Sequence, residues 1–419
     1  MVAAAPLTEK GVAVAGVGSW WSQLGEDEET PELRWPLSVA VYDRMRRQDP
    51  QVMSVLRAVK LPIRRTTWRI DGTGCDPAVT RHVADDLGLP ILGDASPVRP
   101  ARTRDRFSWG EHLRLALTAL DYGHSIFEQV YRIVDGRVHL GKLGWRPPRT
   151  ITGWDVARDG GLRAVRQGVA TGEVSIPVSR LVAYVQDREG GNWAGSSLLR
   201  PAYKPWLLKD RALRVQAQTL ERNGLGVPVY TAGPEPDSTD PQSARDEVQA
   251  ELDGGRDLAA AWRSGDESGA AIRHGASIEL MGVKGTLPNA DIPIRYHDEQ
   301  IARAVLAHFL NLGTETGSWA LGSTFADFFT LSLQTVALEV ADTATMHIVE
   351  DLVDFAFSPS EPAPRIVFDE IGSRHPATAE AIKSLVDAGV VEADDDLEGY
   401  LRTIYGLPAK GTPRIEEPA

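Results

Sequence analysis

The chain has 419 residues, of which 42% are hydrophobic and 25% charged, and its formal net charge is -13. That composition supports one large folded domain or two to four smaller ones, and excludes long disorder outside the ends. The acidic balance excludes a protein that coats or grips nucleic acid, which needs lysine and arginine against phosphate; it leaves open one that lets DNA slide past an acidic wall.

Residues 1–37 read as an arm rich in glycine, alanine and acids, with Trp20 and Trp21 as isolated anchors. The spacing predicts a helix over 38–47, with Val41, Tyr42 and Met45 on one face. Asp49-Pro50 then restarts the chain, Asp49 as cap and Pro50 in the first turn, with Val52, Leu56 and Val59 lining a second helix. Residues 66–70 read as a strand. Ser108 and Glu111 form a capping-box pattern for a helix through Leu113, Leu115, Ala116 and Leu120 that ends at Gly123. From His124 the pattern alternates, Asp135-Gly136 signals a hairpin turn, and residues 138–143 pair back. Further strands are predicted over 150–156, 162–167 and 181–185. Together these give an α+β region with a mainly antiparallel sheet.

Residues 195–223 carry helical spacing through Leu199, Tyr203, Trp206, Leu207, Leu213 and Leu220, and Asn223-Gly224 stops it. A compact α/β insert follows: a strand at 227–231, a loop at 233–240, a helix at 241–252, and strands at 260–263 and 270–281. A helix is predicted over 298–312. A glycine-, serine- and threonine-rich break spans 313–324, and then a very long helix spans 325–357 with the stripe Phe325, Phe328, Phe329, Val336, Val340, Val349, Leu352 and Val353. A proline-rich linker, a strand at 366–368, small helices at 378–388 and 397–404, and a polar tail complete the chain.

Enzyme signatures are missing. There is no G-x-x-x-x-G-K-[ST] phosphate loop, no G-x-S-x-G elbow and no H-E-x-x-H pair. The single Cys75 excludes an intrachain disulfide and a cysteine-based metal site. His347 and Glu350 sit one turn apart on the long helix with Asp342, Asp351 and Asp354 nearby, and read as a polar stripe rather than a metal site. His297, Asp298 and Glu299 are read as opening a helix whose dipole favours the acids. Asp394, Asp395 and Asp396 read as a capping run. Arg44, Arg46, Arg47, Arg64 and Arg65 form basic clusters expected to pair with acidic neighbours. Catalytic, cofactor-binding and metal residues are therefore expected to be none. Met1 to Lys10 lacks the charge and apolar pattern of a secretory leader, and no apolar window is long enough to span a membrane.

The order of elements resembles the portal proteins of tailed phages, especially the Mu-like branch. Residues 42–70 (YDRMRRQDPQVMSVLRAVKLPIRRTTWRI) are similar to that family's N-terminal helix-strand segment. Residues 121–130 (DYGHSIFEQV) with 143–148 (LGWRPP) look like its wing sheet, and 195–201 (GSSLLRP) like the start of its first channel helix. The resemblance implies a multi-domain portal fold: an arm at 1–37, a wing at 38–194, a first stem helix at 195–226, a clip at 227–283, a second stem helix at 284–312, a tunnel loop at 313–324, a long wing helix at 325–357 and a reduced crown and tail at 358–419. It implies a ring of identical subunits, of twelve copies in the usual case, at one capsid vertex of a virion assembled in the host cytoplasm. Double-stranded DNA would pass through it without sequence preference, and terminase, the major capsid protein and neck or adaptor proteins would dock on it. Another structural protein of the phage head and neck is the alternative. Thr314, Glu315, Thr316, Ser318, Trp319 and Ser323 would be the tunnel-loop residues facing DNA. Glu315 is the only charge in that loop, which suits sliding rather than gripping.

Overall fold

Helix-capping chemistry divides the chain at the positions where it turns. In a computed structural model, residues 28–94, 107–224, 227–234, 239–261, 271–281, 289–304 and 319–372 are described, with Ala13 and four isolated positions in the tail; the side chains of 221–227 and 319–327 are not among them. The first elements are α1 (Leu37–Gln48) and α2 (Pro50–Arg65). Asp49 Oδ1 accepts from the backbone N–H groups of Gln51 and Val52 at 2.8 and 3.2 Å, the cap expected of Asp-Pro. β1 (Trp68–Asp71) and α3 (Pro77–Leu87) follow; Asp76 caps α3, and Gly88 closes it in the left-handed region. The helix expected from Ser108 to Gly123 is broken into α4 (Trp109–Ala116) and the short α5 (Ala119–Tyr122). Thr118 ends the first piece by donating its hydroxyl to the Leu115 carbonyl at 2.6 Å, a bond that competes with helix continuation.

The chain then forms β2 (His124–Val134), β3 (Arg137–Arg146), β4 (Ile151–Val156), β5 (Leu162–Val169), β6 (Gly172–Pro177) and β7 (Leu181–Val185). Asp135 and Gly136 both take positive φ at the β2–β3 turn. Next come α6 (Tyr203–Gly224), β8 (Val227–Thr231), α7 (Pro241–Ala260), β9 (Ser277–Met281) and α8 (Asp291–Ala304). The last elements are α9 (Trp319–Ala344), a π turn (Thr345–Val349), α10 (Glu350–Ala356) and β10 (Arg365–Phe368).

The chain divides into two compact units. One comprises Met1–Ala58, Leu115–Glu128 and Gly144–Ser323. There β7 pairs antiparallel with β2, and β4, β5 and β6 form a separate antiparallel sheet in that order. One core joins α1, the start of α2, Tyr122 and the start of α6 through Met45, Val52, Leu199, Trp206 and Ile301. A second core lies against the sheets through Ile126, Ile151, Val165, Ile176 and Leu181. Burying each such aliphatic side chain contributes about 1.5–3 kcal/mol. Gly123 sits at φ +90°, where a Cβ would lie 2.4 Å from the Ala194 carbonyl oxygen, so the turn into β2 needs glycine on both counts.

The other unit comprises Val59–Arg114, Gln129–Leu143 and Thr324–Ala419. In it β1 and β10 form a two-stranded antiparallel sheet, with Trp68 opposite Phe368. Trp68 packs on both Trp109 and Phe368 at ring-centroid distances of 5.4 and 5.3 Å. Arg69 closes the sheet edge by a two-point bond to Asp369 at 2.9 and 3.2 Å.

Several predicted bounds move. The helix expected from Gly195 begins at Tyr203, eight residues later, because Gly195 stands at φ +65° and residues 198–202 form turns held by Ser197, whose hydroxyl donates to the Asp121 carbonyl at 2.6 Å. The helix expected at 241–252 runs on to Ala260 through Gly254 and Gly255, so Ala260 is helical and not in a strand. The strand expected from 270 begins at Ser277. The helix expected from Asp298 begins at Asp291, where the Asn289 side chain accepts from the Asp291 N–H at 3.0 Å. The small tail helices lie outside the described residues apart from isolated positions.

Candidate functional site

The paired helices α6 and α8 pack along each other and are rooted on a buried charge. Lys209 Nζ, 7% exposed, reaches both carboxylate oxygens of Asp49 at 2.9 Å and Asp298 Oδ1 at 2.6 Å. One lysine thereby ties α6, the cap of α2 and α8 together. Burial alone would pull the Lys209 ammonium down, but the carboxylates of Asp298 and Asp49 outweigh it and hold its pKa above the ordinary lysine value. Asp298 therefore serves as an ion-pair partner in the middle of α8, not as an acid favouring its N-terminus.

Along α6 Tyr203 and Trp206 are buried, whereas Leu207, Leu208, Leu213, Val215 and Leu220 are open to solvent. On α8, Ile294, Ile301 and Ala302 are buried, while Ile292 and Tyr296 are open. The root of α6 is fastened by Arg200, whose Nη2 donates to Glu28 Oε1 at 2.9 Å, and by the Tyr203 hydroxyl on Glu32.

The segment 227–281 is a small α/β layer. β8 and β9 pair antiparallel from Val227–Met281 to Thr231–Ser277, and α7 packs on β8. Gly255 of α7 lies against the Tyr230 ring, where a Cβ would come within 2.1 Å of it. Glu251 organises the layer: its Oε1 accepts from the Tyr230 hydroxyl and the Gly233 N–H, both at 3.1 Å, and its Oε2 from Arg273 at 3.3 Å. Leu280 and Met281 at the end of β9 are exposed.

Of the six residues assigned to a tunnel loop, Thr314, Glu315, Thr316 and Ser318 lie outside the described residues. Trp319 and Ser323 stand in the first two turns of α9, which starts six residues earlier than the pattern predicts. α9, the π turn and α10 run without interruption from 319 to 356, about 57 Å at 1.5 Å per residue. The buried side is Phe329, Leu333, Ala337, Val340, Ala344 and Ile348, continuing into Val349, Leu352 and Val353. Phe328, placed by sequence in that stripe, is 62% exposed and Val336 is half-buried, because the helical repeat through Phe329, Leu333, Ala337, Val340 and Ala344 turns Phe328 away and leaves Val336 at its edge.

The polar groups singled out by sequence fall into ordinary roles. His347, Glu350, Asp342 and Asp354 are exposed on the long helix. Asp351 accepts from Gln129 Nε2 at 2.7 Å; burial raises its pKa, and that bond only partly opposes it. Arg46 pairs with Asp43 at 2.9 Å and with the fully buried Asp121 at 3.4 Å, and Arg47 pairs with Asp43 at 3.0 Å, as the acidic balance suggested. Arg44 stacks over Trp206. No helix among the described residues is long and apolar enough to cross a membrane.

These elements define a mixed helix-and-strand chain built around long helices and a small α/β insert. A chain from the virion of a native gene transfer agent (GTA) particle superposes with a TM-score of 0.55 at 11% identity, covering 89% of this chain and 94% of that one. A chain from the neck of an empty GTA particle computed with C6 symmetry gives 0.55 at 13% identity over 89% and 95%. One from the neck of a native GTA particle computed with C12 symmetry gives 0.54 at 11% over 89% and 94%. The family described as the portal protein of Mu bacteriophage matches residues 39–407. The chain belongs to that family of phage portal proteins.

Proposed function

We propose that the chain is the repeating subunit of a ring at one capsid vertex, a non-enzymatic conduit through which viral DNA enters and leaves the head. The observation that carries this reading is the match to the portal family along residues 39–407. In it, residues 38–194 are the wing, α6 and α8 the stem, 227–283 the clip that docks terminase and later neck proteins, 313–318 the tunnel loop, α9 to α10 the long wing helix, and 358–419 a reduced crown. The open apolar residues of α6, α8 and α9 support packing beside identical copies, since a heterologous contact closes into a ring when its rotation closes. C6 and C12 symmetry in the necks of structurally similar chains supports a ring of twelve.

Deleting Gly313 to Ser318, which leaves α9 whole, tests the conduit. The variant is expected to assemble rings, seen by negative-stain microscopy, while packaging or retention of DNA falls. Loss of the ring itself on that deletion refutes the loop assignment, and a compact monomer for the parent protein refutes the ring.

A further inference from the structure

The i,i+4 spacing on α3 puts His82 and Asp86 on one face, and β3 brings His139 beside them, all within one unit. His139 Nδ1 lies 2.8 Å from Asp86 Oδ1, and His82 Nε2 lies 3.9 Å from Asp86 Oδ2 and 3.0 Å from the Val138 carbonyl oxygen. One ligand atom from each of His82, Asp86 and His139 falls within 4.8 Å of the others. These separations bracket the edge of about 3.3 Å of a tetrahedron built on 2.0–2.1 Å metal–ligand bonds.

Charge and surroundings both favour a cation here. The Asp86 side chain is 4% exposed, yet among the described residues no lysine or arginine pairs with it; its partners are the His139 ring and the Leu140 N–H at 2.7 Å. A carboxylate so buried is costly without a counter-charge, and a divalent ion supplies one. The Leu140 N–H fixes the carboxylate in the way an outer hydrogen bond orients a metal ligand. Phe357 packs edge-on against His82 at 5.3 Å, and Arg137 lies over the Phe357 ring. The His139 side chain, 25% exposed, leaves a path to solvent.

We propose that His82, Asp86 and His139 bind one divalent transition-metal ion of the zinc class, with water or the Val138 carbonyl as the fourth ligand. Two imidazoles and a carboxylate suit zinc and disfavour magnesium and calcium, which take oxygen ligands. The ion would pin α3 to the β2–β3 hairpin.

Titration of the untagged full chain with Zn2+ by calorimetry, and with Co2+ by visible absorption, tests this. The expected result is one ion per chain, a cobalt band typical of four-coordinate sites, no binding of Mg2+, and a rise in Tm with Zn2+. His139→Gln keeps a donor to Asp86 and sits at the exposed edge of the site; it is expected to weaken binding at least 100-fold with an unchanged circular dichroism spectrum. Asp86→Asn serves as the second variant. No binding by the parent chain, or zinc bound by His139→Gln as tightly as by the parent, overturns the proposal.

Discussion

Replacing Lys209 by Met is the sharpest test of how the paired helices are held. Methionine keeps the aliphatic stem and removes the ammonium that joins Asp49 to Asp298. Removing one partner of a buried ion pair costs about 3–5 kcal/mol, because the other charge stays buried and unpaired. Two features place this case at the low end. Asp49 keeps its two backbone donors at the α2 cap, and Asp298 is 30% exposed and can hydrate. The expected loss is about 3 kcal/mol. Adding Asp49→Asn, which retains a capping oxygen without the charge, is expected to cost less than the sum of the two single changes. Urea unfolding at one fixed protein concentration, followed by tryptophan fluorescence, reads both. The pH dependence has a definite sign. The folded pKa of Lys209 lies above its unfolded value of about 10.4, so the pair's contribution is complete below that pH and lost as pH rises through the folded value. The deficit of Lys209→Met should thus stay level from about pH 7 to 9 and shrink above about 10. A variant within about 0.5 kcal/mol of the parent at neutral pH refutes the anchor.

Two further outcomes follow from local geometry. Gly123→Ala meets both a left-handed φ and a carbonyl 2.4 Å from the new Cβ, so it is expected to cost about 3 kcal/mol in urea unfolding; a cost under about 1 kcal/mol would mean that the turn relaxes freely. Burial would raise the Glu28 carboxyl, but bonds from Arg200 and the Thr30 N–H outweigh it and hold its pKa below the ordinary value. Its contribution is present above about pH 4.3 and lost as pH falls through the lower folded value, so Glu28→Gln should flatten the acid limb of a stability–pH curve there; an unchanged limb counts against the Glu28–Arg200 contact.

What could be read from sequence was what short-range chemistry decides. Asp49-Pro50, Asp135-Gly136 and the strand at 181–185 each carry their own turn or alternation, and each falls where expected. The helix predicted to end at 252 runs on through Gly254 and Gly255, and Gly322 of the predicted break is helical, because a glycine costs a helix about 1 kcal/mol, too little to stop one propagating through twenty or more residues. The polar anchors had no local signature at all. Lys209 meets Asp49 across 160 residues of chain, and His139 meets Asp86 across 53. Only the His82–Asp86 half of that cluster has a readable spacing. A scan for H-x-x-x-D on a capped helix would have found it, but nothing in the sequence supplies the strand that completes it.

The solvent-open end of α6 gives the ring reading its most direct handle. Leu213 and Leu220 lie seven residues apart, two turns along one side of the helix, and are 43% and 67% exposed. In a lone chain, changing both to Asp touches no packed core, so its stability should stay within about 0.5 kcal/mol per site. In a ring whose copies cover that side, two carboxylates would enter an apolar contact without partners, and each buried charge would cost more than such a contact returns. The expected result is a chain with unchanged circular dichroism and urea midpoint as a monomer that no longer elutes as a ring in size-exclusion chromatography with light scattering. Ring formation undiminished by both aspartates would show that this side of α6 faces solvent or the channel, and the subunit contact would then have to be sought on α9, where Phe328, Leu331 and Leu338 are likewise exposed.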